Sequence, residues 1–185
     1  MSQAHKHKLS NKARKIFETH YHDLSRSLFW YINKKINRKE TAEDFTADVM
    51  MKLIEHEEIL LERDFNGIRA WLFTVARNYI IDSFRKLSNR SKNVDLENEI
   101  FEIVTSHDEK YLDKVIQDEQ YQMLLAAMES LTSEEKEVID LRFKSDMKFA
   151  EIGEVLNKQE GAVKMIVYRA LEKMKVKLKI HDQEA

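Results

Sequence analysis

A basic and partly aromatic helix face near the C-terminus of this 185-residue chain has the side chains needed to bind nucleic acid. A helical period places these residues on one side: Glu160, Gly161, Lys164, Met165 and Tyr168, flanked by Arg169 and Lys173. Lysine and arginine neutralise phosphates, and residues near the start of such a helix reach base edges in a DNA major groove. The pattern predicts DNA binding, although a helical hairpin with a solvated basic face explains the same residues.

The elements that position this face are two apolar stripes of helical spacing joined by the short polar run Asn157-Lys158-Gln159. The first stripe contains Phe149, Ile152, Val155 and Leu156, and the second contains Val163, Val167, Ala170, Leu171 and Met174. Asparagine tolerates the left-handed backbone that ends many helices, so we expect Asn157 to end the first helix. The connection is short enough for a helix-turn-helix.

The composition excludes several other classes of protein. The chain has no proline, three glycines and no alternating strand pattern, which predicts an all-α fold. Because it also lacks cysteine, a glycine-rich phosphate loop and a nucleophile motif, we expect no catalysis, no cofactor and no metal site. No segment is apolar enough to insert into a membrane and no signal peptide is evident, so we expect a cytoplasmic protein.

Charge segregation predicts two small helical domains joined by an acidic linker. The segment from Arg77 to Lys92 contains five basic residues and one acidic residue, and the segment from Lys164 to Lys179 contains six basic residues and one acidic residue. Residues 95–119 carry nine acids and two bases instead. We predict a tail at 1–14, a helical domain at 15–90, a linker at 91–118, a helix-turn-helix domain at 119–180 and a tail at 181–185.

Two pairs of residues have the spacing of a helix-capping box, in which a hydroxyl and a carboxylate satisfy reciprocal backbone N–H groups. Thr132 with Glu135 matches the pattern well, and Thr41 with Asp44 is a weaker version. We therefore predict that one helix begins after Thr132 and another near Thr41.

Four segments in order resemble the bacterial RNA polymerase sigma factors of the extracytoplasmic-function (ECF) group. They read "TAEDFTADVMMKLIEH", "FNGIRAWLFTVARNYIIDSFRK", "LLAAMESLTSEEKEVIDLRF" and the helix-turn-helix. The resemblance covers residues 15–90 and 119–178. It implies a protein without an active site that binds core RNA polymerase and directs promoter-specific transcription initiation.

The resemblance also implies roles for individual residues. Docking on core polymerase would involve Glu43, Asp44, Asp48, Met51 and Lys52. Recognition and melting of the minus-10 element would involve Trp71, Arg77, Asn78, Asp82, Arg85 and Lys86, with the loop 63–67 as a further candidate and Ile68, Leu72, Val75 and Tyr79 as the buried stripe. Recognition of the minus-35 element would involve Gln159, Glu160, Gly161, Lys164, Met165, Tyr168 and Arg169.

At Met165 the chain departs from the family pattern, because that position and the next often hold serine and arginine. Methionine makes only apolar contacts, such as to a thymine methyl group, so we expect a non-standard minus-35 preference. Lys148 and Gln159 stand where helices of this motif usually open with serine, and both are poor caps.

Two other functions remain open at this point. A free-standing helix-turn-helix regulator would bind duplex DNA without polymerase, and a helical protein-interaction module would not bind DNA. The sigma factor is favoured because it alone explains both halves of the chain. The resemblance further implies an anti-sigma protein as a partner, together with core RNA polymerase and promoter DNA.

Overall fold

The computed structural model describes residues 9–88 and 119–184, with the side chains of residues 86–88, 119–122 and 179–184 excepted. Every regular element in these ranges is helical, which confirms the all-α prediction. The chain divides into two compact units, residues 1–87 and 88–185. The predicted acidic linker at 91–118 lies outside the described residues.

The first helix of unit 1, α1, spans Asn11–Ile36. The Ser10 hydroxyl accepts a hydrogen bond from the backbone N–H of Ala13 at 3.3 Å, which caps the helix. Ala13 is fully buried. The prediction of a tail as far as residue 14 was therefore wrong for its last four residues, because the Ser10 cap starts the helix at Asn11.

Helix α2 spans Lys39–Glu55 and α3 spans Glu57–Glu62. The prediction of a cap at Thr41 was wrong, because α2 begins two residues earlier and Arg38 is its N-cap. Asn37 ends α1 in a left-handed conformation (φ 51°), so the change of chain direction comes before Thr41. Thr41 therefore lies inside α2.

Helix α4 spans Phe65–Ser88. The Asp64 carboxylate accepts from the backbone N–H of Gly67 at 2.8 Å, so the loop predicted at 63–67 is reduced to residues 63 and 64. Ile68 and Leu72 are buried as predicted, whereas Val75 and Tyr79 are only half-buried. The other buried positions of α4 are Ala70, Phe73, Ala76 and Ile80, which join a core formed with Leu24, Leu28, Ile32, Leu53 and Leu60.

Unit 2 contains α5 (Glu119–Glu129), α6 (Ser133–Ile139), a π-helical turn (Asp140–Lys144), α7 (Phe149–Leu156) and α8 (Glu160–Glu184). The capping box predicted at Thr132 and Glu135 is present, with both reciprocal hydrogen bonds formed. Helices α5, α6 and α7 all pack against α8. The core includes Leu131, Val138, Leu141, Met147, Ile152, Val163 and Ala170.

Two predictions for α8 need correction. Leu171, assigned to the buried stripe, is 42% exposed, because the 100° step per residue carries it beyond the stripe of Val167, Ala170 and Met174. The helical backbone also continues to Glu184, past the predicted end of the domain at residue 180.

Candidate nucleic-acid interface

The connection between α7 and α8 is a tight turn whose geometry depends on Gly153 and Asn157. Asn157 adopts the predicted left-handed conformation (φ 53°, ψ 48°). The backbone N–H of Lys158 donates to the Gly153 carbonyl at 2.8 Å, which satisfies one of the last carbonyls of α7. A Cβ atom on Gly153 would lie 2.6 Å from the Lys158 carbonyl oxygen. Only glycine therefore allows the chain to turn this closely against α7.

Apolar contacts between α7 and α8 fix which side of α8 faces outward. Ile152, Val155 and Leu156 of α7 are buried, as are Val163 and Val167 of α8. Apart from Phe149, which is half-buried, and Leu171, which is exposed, the two stripes predicted from the sequence therefore meet in one core. The opposite side of α8 faces outward. Lys148 makes no side-chain cap at the start of α7, as its residue type predicted.

All seven residues predicted to read the minus-35 element are exposed: Gln159, Glu160, Gly161, Lys164, Met165, Tyr168 and Arg169. Met165 is 50% exposed and Tyr168 is 61% exposed, although both are large apolar side chains. With Gly161 they form an i, i+4, i+7 stripe, here called the apolar edge of α8. A Cβ on Gly161 would meet no atom within 4 Å.

Lys164, beside the apolar edge, already has partners in unit 2. Its ammonium lies 2.6 Å from the Glu160 carboxylate and 5.7 Å from the centre of the Phe149 ring. An exposed i, i+4 pair contributes only about 0.3–0.5 kcal/mol, so a phosphate could displace Glu160.

Lys173 was predicted to flank this basic face, but it has a structural role. Its ammonium donates to both carboxylate oxygens of Glu135, at 2.7 and 2.9 Å, and so ties α8 to the start of α6. Burial alone would raise the pKa of Glu135, but the hydrogen bonds from Lys173 and from the Thr132 backbone outweigh it and lower the pKa. Lys173 therefore stabilises the packing of α8 against α6.

On α4, the structure separates the residues predicted to read the minus-10 element into two groups. Trp71, Asn78, Asp82 and Arg85 follow one another at spacings of seven, four and three residues and so share one stripe. Asn78, Asp82 and Arg85 are exposed, with 3.9 Å between the Arg85 and Asp82 charged groups. Trp71 is half-buried, with its ring centre 5.6 Å from that of His56.

Arg77 does not belong to that stripe. It is half-buried and lies about 100° around the helix from Asn78. Lys86 belongs to α4, but its side chain lies outside the described residues.

The five residues predicted to dock on polymerase all lie on the exposed side of α2: Glu43, Asp44, Asp48, Met51 and Lys52. Met51 is 54% exposed between these charged neighbours. The inner side of α2, which includes Val49 and Leu53, is buried in the unit 1 core. Packing therefore fixes the outer side of α2 as a mixed surface, in which three acidic groups and one lysine surround one apolar side chain.

Sequence reasoning missed the role of Tyr79. Its hydroxyl donates to the Asp48 carboxylate at 2.9 Å, joining α4 to α2. Its ring packs edge-on against Phe45, with 4.5 Å between centroids, and the Lys52 ammonium lies 5.4 Å from the ring centre. The hydrogen bond to Asp48, with burial and the Asp48 charge, raises the pKa of Tyr79. The one available signal was that tyrosine at the edge of an apolar stripe tends to place its hydroxyl on a polar partner.

Comparison with known protein families agrees with this two-unit architecture. Residues 16–90 match the family model described as Sigma-70 region 2, and residues 127–176 match Sigma-70, region 4. The first match contains α2 and α4, and the second contains α7 and most of α8. Two sigma-70 regions therefore follow each other in this chain.

Individual relatives give the same result. The chain is 30% identical over 155 residues to the ECF RNA polymerase sigma factor BldN of Streptomyces coelicolor, covering 82% of this chain and 56% of that protein. It thus spans little more than half the length of BldN. It is 25% identical to the RNA polymerase sigma factor YlaC of Bacillus subtilis, covering 94% of this chain and 98% of YlaC.

A solved structure shares the fold. The sigma factor RpoE of Bartonella quintana, in complex with the anti-sigma factor NepR, matches with a TM-score of 0.59 and 20% identity, covering 90% of this chain and 98% of RpoE. The chain belongs to the ECF group of sigma-70-type RNA polymerase sigma factors. Among the residues the structure describes, no helix combines the length and apolarity needed to cross a bilayer.

Proposed function

We propose that this chain binds core RNA polymerase and directs it to specific promoters, acting as an initiation factor without an active site of its own. The observation that carries the proposal is the order of two sigma-70 regions in one chain, each folded as a compact helical unit. Neither a free-standing regulator nor a simple interaction module requires both units.

Unit 1 docks on polymerase through the outer side of α2. Asp44 and Asp48 lie one helical turn apart, so their carboxylates can meet a basic partner together. Met51, one turn further on, supplies apolar area that is desolvated on binding. Glu43 and Lys52 form the polar rim of the contact.

The outward stripe of α4 reads the minus-10 element. Asn78 and Arg85 offer hydrogen-bond donors to bases and phosphates, and Trp71 offers a partly exposed ring on which an unstacked base can rest. The ion pair between Asp82 and Arg85 is exposed, so a phosphate can displace Asp82 from the guanidinium. Arg77 and Lys86 add positive charge near the backbone of the DNA strand.

The outward face of α8 reads the minus-35 element. Lys164 and Arg169 contact phosphates, Gln159 and Glu160 lie at the N-terminal end that approaches base edges, and the apolar edge contacts thymine methyl groups. The domain limits follow from these roles. We propose residues 15–90, extended to Asn11 by the structure, for the first domain, 91–118 for the linker and 119–180, extended to Glu184 by the structure, for the second domain.

Regulation by an anti-sigma protein is part of the proposal. The related RpoE structure contains such a partner, NepR. A protein that covers the acidic outer side of α2 would prevent polymerase docking. A cytoplasmic location is the one in which core polymerase and promoter DNA are accessible.

Charge reversal on α2 tests the docking assignment. Asp44→Arg places a cation against the basic partner and should weaken core polymerase binding at least tenfold, since like-charge juxtaposition in an interface costs several kcal/mol. Glu18→Arg is the matched control, because Glu18 is an exposed acid on α1 and not on the docking helix α2. Binding of labelled protein to core polymerase is the measurement. Equal affinities for both variants would contradict the assignment.

A further inference from the structure

The proposed docking surface and the proposed minus-10 surface lie on different helices, and one side-chain hydrogen bond joins those two helices. Asp48 is on the outer side of α2, and its carboxylate accepts a hydrogen bond from the hydroxyl of Tyr79 on α4. Tyr79 directly follows Asn78, which lies in the exposed stripe of α4. The contact joins positions 31 residues apart in the sequence.

The surroundings of Tyr79 restrict where its hydroxyl can point. Phe45 packs edge-on against the ring, and the Lys52 ammonium lies over the ring face. Both residues belong to α2, so the ring is held by the helix whose carboxylate it binds. A hydrogen bond from a restrained donor fixes the acceptor, and Asp48 is therefore held in one orientation although it is exposed.

The hydrogen bond leaves Asp48 able to bind a partner. Tyr79 occupies Oδ2, and a carboxylate has about four lone-pair sites on its two oxygens. Oδ1 can accept from an arginine or lysine while the tyrosine contact persists. Because a side chain that is already oriented loses less entropy on binding, this arrangement favours docking.

We infer that Tyr79 is a positioning residue for polymerase binding, which presents the Asp48 carboxylate to the polymerase and links the docking helix α2 to the minus-10 helix α4. The inference rests on the proposed function. It adds a residue of α4 to the docking machinery, whereas the family resemblance assigned docking to α2 alone.

A double-mutant cycle in the full chain tests this inference. Tyr79→Phe keeps the ring and its contacts with Phe45 and Lys52 but removes the hydroxyl, and Asp48→Asn removes the charge. Each change should weaken core polymerase binding about three- to tenfold. The affinity of the double variant should be no lower than that of the single variant that binds more weakly, because contacting residues act as a unit. Tyr21→Phe on α1 is the matched control and should bind as the wild type does.

Two readouts separate positioning from folding. The unfolding midpoint of Tyr79→Phe should stay within a few degrees of the wild-type value, while its affinity for core polymerase falls. An unchanged affinity for Tyr79→Phe, an unchanged affinity for Asp48→Asn, or fully additive losses in the double variant would each overturn the inference. Failure of the wild-type protein to bind core polymerase would instead overturn the proposed function.

Discussion

Replacement of Gly153 by alanine tests the geometry that presents α8. The added Cβ would lie 2.6 Å from the Lys158 carbonyl oxygen, a backbone atom that cannot rotate away. Overpacking of this kind costs about 1–3 kcal/mol. The higher helix propensity of alanine than of glycine offsets about 0.5–1 kcal/mol of that cost. We expect a net loss of roughly 0.5–2 kcal/mol in the free energy of unfolding of unit 2.

For a domain of this size, 1 kcal/mol lowers the unfolding midpoint by about 4–8 °C, so the expected shift is roughly 2–16 °C. Thermal unfolding followed by circular dichroism measures it. Gly161→Ala is the matched control, since the same change there meets no atom within 4 Å and should leave the midpoint unchanged or slightly raised.

The Gly153→Ala variant also connects the turn to DNA recognition. Movement of the turn in Gly153→Ala should displace α8 and weaken promoter binding even below the unfolding transition. If Gly153→Ala unfolds at the same temperature as Gly161→Ala, the chain does not turn as closely against α7 as the structure indicates, and the reasoning is refuted.

Three further predictions concern unit 2. Lys164→Ala should reduce the slope of log affinity for promoter DNA against log salt by about 0.9, whereas Lys12→Ala on α1 should not change it; an unchanged slope for Lys164→Ala would exclude a phosphate contact. Replacing thymine by deoxyuracil in the minus-35 element removes the methyl group and should weaken binding of the wild type but not of Met165→Ala; equal losses for both proteins would count against the apolar edge. The lowered pKa of Glu135 means that its contribution to stability is present above the carboxyl pKa of the unfolded chain and is lost as the pH falls through the lower folded-state value. Stability measured by denaturant titration below about pH 4.3 should therefore fall less steeply for Glu135→Gln than for the wild type, and parallel curves would contradict the assignment.

Features decided by local chemistry could be predicted from the sequence. The left-handed turn at Asn157 and the capping box at Thr132 depend on residues within a few positions of each other, and both are present. The buried stripes of α7 and α8 follow from helical periodicity. The failure at Thr41 has a local cause as well, because the reversal at Asn37 starts α2 before that residue.

Contacts between distant positions could not be predicted. Lys173 looked like one more base on a DNA-binding face, but it pairs with Glu135, which lies 38 residues away. Tyr79 looked like part of a buried stripe, and its partner Asp48 lies on another helix. Periodicity assigns a residue to a face, but it does not identify the residues packed against that face.

Run-off transcription with purified core RNA polymerase and a genomic fragment library, with and without this protein, tests the central claim most directly. A promoter-directing sigma factor should give discrete new start sites that require the protein, each preceded by two sequence elements at a constant spacing. Transcription that does not change when folded protein is added, together with protein that binds duplex DNA without polymerase, would contradict it and identify a free-standing regulator instead.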